Sequence, residues 1–428
     1  MANSDKVRVG ILGFGTVGEG TYRMLTDNVD EIERKTGSPI EVVRIGVRDA
    51  GKARSLSSEM FTTDLESIVD DPSVDIVLEL IGGESPAGEL IERALNNGKH
   101  VVTANKELIA KHGSRLINLA RSKGLDLHFE AAVGGGIPIV QPLKHQLAGN
   151  DIVKMMGVLN GTSNFVLTKM YREGADFFDV LTEAQELGYA EAEPSGDIDG
   201  FDTMYKIAIL AAIAFGKQVS LDDVHREGIR RVTPRDMHYA EVLGYRIKLL
   251  GICEEIEPGR LQVRVHPTLI PIGHPVAGVE DVYNALWVHG DFVGDLMFSG
   301  RGAGSFPTAS AVVGDLIDCC RNIAVGGPGS AIPYGEGMEC APISSIETRY
   351  YIRLIVTDKP NTLGKISTVF GESSVGLAAM EMRTLENDQG EIVFLTHTCR
   401  ESAFTSALAQ VEQLEVVASV ESWFRVED

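Results

Sequence analysis

The chain has 428 residues, 44% of them hydrophobic, so it is long enough for about three domains with packed cores. Its formal net charge of −22 argues against partners such as nucleic acid or an anionic membrane surface. The five scattered cysteines and the absence of a signal peptide or a long apolar run predict a cytoplasmic protein with no membrane span.

The first part of the chain alternates apolar strand-like runs with helical patterns. Strands are predicted at residues 7–12, 41–47, 74–81, 100–103 and 125–131, and helices from about residue 16 and at residues 86–97 and 105–123. This alternation predicts an α/β fold with a doubly wound parallel sheet of Rossmann type. The domain is expected at residues 1–132, completed by residues 306–330.

A glycine loop joins the first predicted strand to the first helix. The loop consists of Gly13, Phe14, Gly15, Thr16, Val17 and Gly18 and matches GxGxxG. Within a βαβ unit this pattern predicts dinucleotide binding, because the glycines allow a tight turn, close approach of a pyrophosphate and close helix packing. The helix N-terminus would hold the pyrophosphate.

Two further positions bear on the cofactor. Arg48 follows the second strand and would suit the 2′-phosphate of NADP, whereas the adjacent Asp49 would suit the ribose of NAD, so the choice stays open. Thr103 ends another strand, and Lys106 lies three residues beyond it. Ligands bind at the carboxyl ends of parallel strands, which favours a functional Lys106 over a solvated one.

The glycine turn at residues 130–138 follows the last strand of this domain. It combines the Glu130 carboxylate with several backbone carbonyls, an arrangement that suits a hard cation. Glycine-rich turns more often simply connect elements, so both interpretations are kept.

Residues 133–305 have a mixed pattern that predicts an α+β domain. Strands are expected at residues 153–159, 261–265, 285–289 and 291–298, and a helix at residues 177–187. The segment Asn160-Gly161-Thr162-Ser163-Asn164 places hydroxyl groups and amides at a helix start. Helix capping explains this pattern, and binding of a substrate carboxylate near Thr162 would explain it as well.

An acidic loop precedes an apolar helix that carries one lysine. Its carboxylates are Glu191, Glu193, Asp197, Asp199 and Asp202, and the lysine is Lys206. Asp202 and Lys206 share a helical face, so they form either a buried ion pair or part of a site that handles an amino acid. Glu193 and Asp199 are interpreted as solvated.

The C-terminal part has a glycine-rich linker, predicted at residues 331–348, and a smaller domain. Residues 349–428 show the order strand, helix, strand, strand, helix, strand, which predicts a ferredoxin-like fold.

Taken together, these motifs resemble the homoserine dehydrogenase family over essentially the whole chain. The most specific match is an ordered pattern formed by Ala184, Gly188, Tyr189, Ala190, Glu191, Pro194, Asp197, Gly200, Asp202 and Lys206. The glycine loop and the segments TANK, EAAVGGGIPI, VLNGTSNFVL and GRGAGSFPTA match too. The resemblance implies NAD(P)-dependent interconversion of L-homoserine and L-aspartate 4-semialdehyde, on the route to threonine, methionine and isoleucine.

The resemblance also implies roles for individual residues. It makes Lys206 the catalytic lysine, gives Glu191 and Asp202 to the substrate, and places Lys106 where cofactor and substrate meet. Gly188 and Gly302 fall where backbone nears the nicotinamide. The family's sodium site falls on Glu130 and on carbonyls of Val133, Gly135 and Ile137.

The last 79 residues resemble an ACT domain, which implies an amino-acid effector such as threonine and a homo-oligomer. Asn361 departs from the pattern, because many ACT domains have glycine at this turn. Two alternatives remain open: a Rossmann oxidoreductase for a different aldehyde, and a sensor that binds nucleotide and amino acid without catalysis.

Overall fold

The computed structural model describes residues 6–52, 56–327, 335 and 337–427. The chain divides into two compact units. The first unit comprises Met1–Lys154, Tyr205–Leu221 and Asn284–Met338, and the second comprises Met155–Met204, Asp222–Tyr283 and Glu339–Asp428. The predicted linker lies partly outside the described residues, at positions 331–334 and 336. None of the described helices is long and apolar enough to cross a membrane.

The strands are β1 (Val7–Leu12), β2 (Ile40–Gly46), β3 (Phe61–Thr62), β4 (Ile76–Glu79), β5 (His100–Thr103), β6 (Leu127–His128), β7 (Ile152–Val158), β8 (His225–Arg226), β9 (Tyr245–Glu257), β10 (Arg260–Pro271), β11 (Tyr283–Gly290), β12 (Gly294–Arg301), β13 (Glu339–Cys340), β14 (Glu347–Thr357), β15 (Leu377–Thr384), β16 (Gln389–Thr396), β17 (Cys399–Arg400) and β18 (Val417–Val426). The helices are α1 (Thr16–Asp27), α2 (Val29–Thr36), α3 (Glu66–Asp70), α4 (Ala87–Asn96), α5 (Lys106–Ser122), α6 (Val140–Lys144), α7 (Gly161–Glu173), α8 (Phe177–Glu186), α9 (Ser195–Ile198), α10 (Phe201–Phe215), α11 (Pro234–Val242), α12 (Ser305–Val325), α13 (Thr362–Glu372) and α14 (Glu401–Glu412).

The first unit contains a six-stranded sheet in the order β3-β2-β1-β4-β5-β6. Every pairing in it is parallel. This order is typical of dinucleotide-binding folds and confirms the predicted Rossmann-type sheet. In the register, Leu12 pairs with both Gly46 and Glu79, and Glu79 pairs with Thr103. The carboxyl ends of four strands therefore meet at one edge.

A long C-terminal helix of this unit, α12, packs on the sheet. Its Val312, Val313 and Leu316 belong to the same hydrophobic core as Val9 and Ile11 of β1. These apolar side chains are fully buried, so α12 is part of the sheet's core although it follows β6 by more than a hundred residues in the sequence.

The structure differs from the predicted elements at several boundaries. The strand predicted at residues 125–131 ends at His128, because the Glu130 amide donates to the Asp315 carboxylate (2.7 Å) and the chain turns into a short 3₁₀ helix. The strand predicted at residues 291–298 begins at Gly294. Within the predicted linker, β13 pairs with β10. The 13-residue strand β9 had no counterpart among the predictions.

The second unit contains a separate mixed sheet. Its strands β9-β10-β18-β14-β16-β15 are neighbours in that order. The pairing of β10 with β18 is parallel, through Thr268 with Arg425 and Leu269 with Val426, and the other pairings along this path are antiparallel. Residues 347–426 have the predicted order β14, α13, β15, β16, α14 and β18 around a core of their own. The C-terminal segment thus shares a sheet with β10 of the same unit.

Candidate active site

The glycine loop has the geometry of a dinucleotide-binding turn. Gly13 has a φ of +104°, and a Cβ there would lie 2.6 Å from the Leu80 carbonyl oxygen. A Cβ on Gly18 would lie 2.2 Å from the Gly13 oxygen, so both positions require glycine. At Gly15 a Cβ would meet no described atom within 4 Å. The first turn of α1 begins there without a side-chain cap, and its amides are available to an anion.

The remaining loop residues contribute packing and backbone. Phe14 makes edge contacts with Tyr22 and Phe61, at centroid distances of 6.1 and 5.3 Å. Val17 is half-buried against the core, and Thr16 is exposed and accepts a bond from Ser305 Oγ through its carbonyl oxygen. These contacts fix the loop against the core, and the space beside Gly15 remains open.

Arg48 and Asp49 differ in what they are bonded to. Both are exposed just beyond the end of β2. Asp49 Oδ1 accepts a bond from the Gly51 amide (2.8 Å), so its carboxylate stabilises the turn that follows. The Arg48 guanidinium is exposed at the position where a 2′-phosphate would be held.

A buried carboxylate ties together the two loops at the carboxyl ends of β4 and β5. Glu79 is 0% exposed, and its Oε1 accepts bonds from the amides of Ile81 (2.9 Å) and Gly82 (3.0 Å). Its Oε2 accepts from Thr103 Oγ1 (2.5 Å), and that hydroxyl oxygen in turn accepts from the Asn105 amide (3.0 Å). Charge-assisted bonds of this kind are about twice as strong as neutral ones.

Asn105 extends this network to the first residue of α5. Its side-chain oxygen caps the helix by accepting from the Leu108 amide (3.1 Å), and its Nδ2 donates to the Gly83 carbonyl (2.6 Å). Lys106 is the first residue of the helix that Asn105 caps. Glu79, through Thr103 and Asn105, therefore fixes the position from which the Lys106 side chain extends.

We expect the Glu79→Gln substitution to destabilise the fold by about 1–3 kcal/mol, because an amide nitrogen would then face donors inside a buried site. The KM for the dinucleotide is also expected to rise, because the loop after β4 loses hydrogen bonds from its amides to the Glu79 carboxylate. Thermal unfolding and initial-rate kinetics measure the two effects. Glu84→Gln is the matched control, because Glu84 is an exposed glutamate on the same loop, and its change should cost less than about 0.5 kcal/mol. Equal behaviour of the two variants would contradict the role given to Glu79.

The Glu130 carboxylate is surrounded by backbone amides. Oε1 accepts from Ile139 (2.6 Å) and Val140 (2.8 Å), and Oε2 accepts from Gln141 (2.7 Å), so the side chain caps the start of α6. Burial raises the pKa of this carboxyl, and the three amide bonds oppose that shift. Oε2 retains a lone pair, but the carboxylate is already satisfied without a cation.

The three carbonyl groups predicted to bind a cation differ from the Glu130 carboxylate in their hydrogen bonding. Gly134 and Gly135 are left-handed, with φ values of +73° and +56°. Within the described parts of the chain, no hydrogen-bond donor reaches the carbonyl oxygens of Val133, Gly135 or Ile137. These three oxygens fit a hard cation.

A buried amide that sequence reasoning missed lies beside this turn. Asn284 is 1% exposed, and neither its amide nitrogen nor its oxygen has a partner among the described residues. A Cβ on Gly302 would lie 2.0 Å from Asn284 Nδ2, and a Cβ on Gly135 would lie 2.5 Å from the Gly302 oxygen. Leaving a buried amide unsatisfied costs about 1–3 kcal/mol per group. Its place beside Gly302 and Gly135 points to a polar ligand there.

In the second unit, one side chain brings two of the predicted carboxylates together. Asn160 Nδ2 donates to Asp197 Oδ1 (2.7 Å) and to Asp202 Oδ2 (2.9 Å). Its Oδ1 accepts from the Ser163 amide (2.8 Å) and caps α7, which confirms capping at this helix start. The predicted substrate residues Asp197 and Asp202 are thus held by the same amide.

Thr162 of α7 is bonded to the loop that carries Glu191. Thr162 Oγ1 donates to the Tyr189 carbonyl (2.7 Å), so the hydroxyl group is engaged in holding the loop. Glu191 is exposed, and its carbonyl accepts from Gln185 Nε2 (3.0 Å). Gly188 has a φ of +75° and open space beside it. The loop leaves the Glu191 carboxylate accessible to an ammonium group.

Asp199 is partly exposed, but it is also ion-paired, which the interpretation as a solvated carboxylate did not include. It forms a bidentate pair with Arg230, with Oδ1 to Nε at 2.5 Å and Oδ2 to Nη2 at 2.9 Å. The hydrogen bonds from Arg230 lower the pKa of the Asp199 carboxyl below its usual value. Glu193 remains exposed and accepts from Ser195. The pair was not predicted because the partner arginine lies 31 residues away.

The helix predicted from the apolar run is α10. Asp202 and Lys206 lie one turn apart on it, at 5% and 8% exposure. A lysine and an aspartate buried to this degree on an otherwise apolar helix are rarely there for solubility alone.

Comparison with known proteins identifies the family. A family model described as homoserine dehydrogenase matches residues 138–317, and one described as the NAD binding domain of homoserine dehydrogenase matches residues 13–130. The homoserine dehydrogenase of Synechocystis is 45% identical, with 98% of this chain and 99% of the relative covered. The chain belongs to the homoserine dehydrogenase family.

Solved homoserine dehydrogenase structures agree with this assignment. The structure from Thiobacillus denitrificans is similar with a TM-score of 0.93 and 45% identity, covering 99% of both chains. A hyperthermophilic archaeal homoserine dehydrogenase in complex with NADPH is similar with a TM-score of 0.64 and 29% identity, covering 74% of this chain and 98% of that one. The chain is an NAD(P)-dependent oxidoreductase that acts on a small molecule.

Two site residues were missed by sequence reasoning, although one left a signal. Glu79 lies within the predicted apolar strand at residues 74–81, where a charged residue is unusual, and that position marks it as a functional or hydrogen-bonded residue. Asn284 left no such signal. Its role follows from its short distance to Gly302 in the fold, and that distance cannot be seen in the sequence.

Proposed function

We propose that this homoserine dehydrogenase interconverts L-homoserine and L-aspartate 4-semialdehyde, in the pathway to threonine, methionine and isoleucine. The observation that carries the proposal is the 45% identity to a curated homoserine dehydrogenase over 98% of the chain. The ordered residues of the acidic loop, which hold two carboxylates on the Asn160 amide, support the same substrate.

The proposed mechanism assigns a separate task to each side chain. The nicotinamide cofactor, bound at the glycine loop, supplies or accepts the hydride. The Lys206 ammonium stabilises negative charge on the substrate oxygen and donates a proton to it when the aldehyde is reduced. Glu191 binds the substrate ammonium, and Asp202 orients the hydroxyl group. Lys106, at the start of α5, adds positive charge on the cofactor side.

For the cofactor itself we propose use of NADP, with NAD as an alternative. The support is the exposed Arg48 and the engagement of Asp49 in its own turn. Gly188, Gly302 and Thr103 are proposed to line the nicotinamide half of the site.

We further propose a structural sodium ion held by the carbonyls of Val133, Gly135 and Ile137. Glu130 would contribute through the remaining lone pair of Oε2 while it caps α6. The support is the left-handed turn with three carbonyl oxygens that accept no hydrogen bond from a described residue.

A bound sodium ion is expected to raise the melting temperature saturably, because a ligand that binds only the folded state stabilises it, by about 2.7 kcal/mol at a hundred times its Kd. Thermal unfolding in sodium chloride should be compared with choline chloride at equal ionic strength. Identical melting curves in the two salts would contradict the sodium site.

The C-terminal segment is proposed to be an ACT domain that binds an amino-acid effector such as threonine. Asn361 adopts the left-handed conformation, with a φ of +70°, at the turn where many such domains carry glycine. We also propose a homo-oligomer. A solution mass equal to that of one 46.2 kDa chain, measured by light scattering, would contradict it.

A further inference from the structure

Both hydrogens of the Asn160 amide nitrogen are donated to carboxylates. The side chain is buried at the start of α7, and its Oδ1 accepts from the Ser163 amide (2.8 Å). Its Nδ2 donates to Asp197 Oδ1 (2.7 Å) and to Asp202 Oδ2 (2.9 Å). A side-chain amide has two donor hydrogens and one acceptor oxygen. Because the oxygen faces the Ser163 amide, the nitrogen has to face the two carboxylates.

The two carboxylates that share this nitrogen come from different elements. Asp197 belongs to α9, and Asp202 lies in the first turn of α10. Two carboxylates bonded to the same nitrogen are close enough to repel each other, and such repulsion disfavours the state in which both are ionised. The amide offsets the repulsion by donating one hydrogen to each, since bonds to an ionised acceptor are about twice as strong as neutral ones.

Capping of α7 alone would not require asparagine. Serine and aspartate cap helices about as well as asparagine does. They differ from asparagine in donors, because serine has one and an ionised aspartate has none. The residue type at position 160 therefore matches the two acceptors, Asp197 and Asp202, and not only the helix end.

The short helix α9 is held from another direction by the turn that follows β8. Arg230 pairs with Asp199, directly after α9, and the Ile229 amide donates to the Ile198 carbonyl (2.9 Å). These contacts hold the backbone of α9 and the residue after it. The bond from Asn160, in contrast, is made to the Asp197 carboxylate itself.

We propose that Asn160 is a positioning residue for the dehydrogenase reaction, which keeps Asp197 and Asp202 charged and oriented toward the substrate. The inference rests on the proposed function, in which Asp202 orients the hydroxyl group of L-homoserine. Asn160 acts through the carboxylates, so its replacement should change the kinetic constants for L-homoserine. The constants for the dinucleotide should stay the same, because the glycine loop belongs to the first unit and Asn160 to the second.

Asn160→Ser separates the cap from the carboxylate bonds, because serine caps a helix but is too short to bond both carboxylates. We expect kcat/KM for L-homoserine to fall about 10–100-fold and KM for the dinucleotide to stay within about twofold, since a displacement of about 1 Å in a reacting group has effects of this size. Steady-state kinetics with each substrate varied in turn measure both constants. Thermal unfolding checks that the variant is folded.

Asn160→Asp adds a readout that a purely structural role would not change. Aspartate also caps a helix, but it replaces the bridging donor with a third carboxylate beside Asp197 and Asp202. Three carboxylates at such distances do not all remain ionised, so the acid limb of kcat/KM for L-homoserine should move to higher pH by about 1 unit or more. Asn160→Ser adds no charge, and its acid limb should stay closer to that of the wild type.

Asp176→Ala is the matched control, because Asp176 is an exposed residue that caps the next helix, α8, by accepting from the Phe178 amide (3.0 Å). Its L-homoserine constants and acid limb should equal those of the wild type. Wild-type kcat/KM and acid limb in both Asn160 variants would overturn the positioning role, while oxidation of L-homoserine by the wild type would leave the proposed function intact. Equal losses for L-homoserine and the dinucleotide would also overturn it. A wild-type chain that oxidises no L-homoserine would overturn the proposed function and this inference together.

Discussion

Replacing Lys206 with alanine is expected to lower kcat for L-homoserine oxidation by about 10²–10⁴-fold, the usual contribution of a positioned general acid or base. This loss corresponds to about 3–5 kcal/mol in the activation barrier. The physical reason is that the substrate oxygen would exchange its proton and develop its charge without a neighbouring amine. Dinucleotide affinity should change little, because the glycine loop at the start of α1 is untouched.

Lys217→Ala provides the matched control. Lys217 is exposed just beyond the end of α10, so its loss removes a lysine near the same helix without touching a buried position. Steady-state kinetics and equilibrium cofactor binding should be measured for both variants. Near-normal kcat in Lys206→Ala would refute the catalytic assignment, and a parallel loss in Lys217→Ala would show that the effect is not specific.

Replacing Arg353 with alanine is expected to destabilise the fold by about 3–5 kcal/mol, because it leaves the buried Asp236 carboxylate without its cation and removes one of the two arginines bonded to Glu391. Arg353 is 3% exposed, and its Nε donates to Asp236 Oδ1 (2.7 Å) and its Nη1 to Glu391 Oε1 (3.1 Å). Both carboxylates are buried, so neither gains full hydration when the guanidinium is lost. Denaturant unfolding measures the change.

Arg383→Ala is the control for this experiment, because Arg383 lies exposed on β15 of the same segment. Its loss should change the free energy of unfolding by less than about 0.5 kcal/mol. If Arg353→Ala were no less stable than Arg383→Ala, the buried cluster would not stabilise this part of the molecule.

The Arg353 cluster also determines how regulation can be tested. Asp236 belongs to α11, whereas Arg353 and Glu391 belong to β14 and β16 of the C-terminal segment. A second, partly buried pair joins Arg425 of β18 to Glu227, at 2.9 Å. Truncation of the C-terminal segment would therefore expose partner charges and the edge of β10, so point variants are the cleaner test.

Much of the fold could be predicted from local patterns. The strand at Val7–Leu12 follows from an apolar run, and the loop after it follows from the spacing of its glycines. The helix at Thr16 follows from the helical periodicity of its apolar residues. All three patterns are formed by residues close together in the sequence. The early end of β6 could not be predicted, because it depends on Asp315, which lies 185 residues from Glu130 in the sequence. The position of β9 also depends on its pairing with β10, which local sequence does not display.

The candidate site also has features that the sequence shows and contacts that only the fold creates. The spacing of Asp197, Asp202 and Lys206 is visible in the sequence. The hydrogen bonds from Asn160 to Asp197 and Asp202 are not, because they depend on helices α7, α9 and α10 meeting in the fold. For the same reason the sequence does not reveal that Asp199 is ion-paired or that Glu79 is bonded to Thr103. The fold brings Arg230 and Thr103 to these two carboxylates from 31 and 24 residues away in the sequence.

The rate of dinucleotide reduction on addition of L-homoserine tests the central claim most directly. The purified full chain should be assayed with NADP⁺ and with NAD⁺, and L-2-aminobutyrate, which lacks the reacting hydroxyl group, serves as the control substrate. We expect L-homoserine to drive reduction of at least one of the two cofactors, with no signal from the control. Failure of L-homoserine to reduce either cofactor, together with failure of L-aspartate 4-semialdehyde to oxidise NADPH or NADH, would contradict the proposed function.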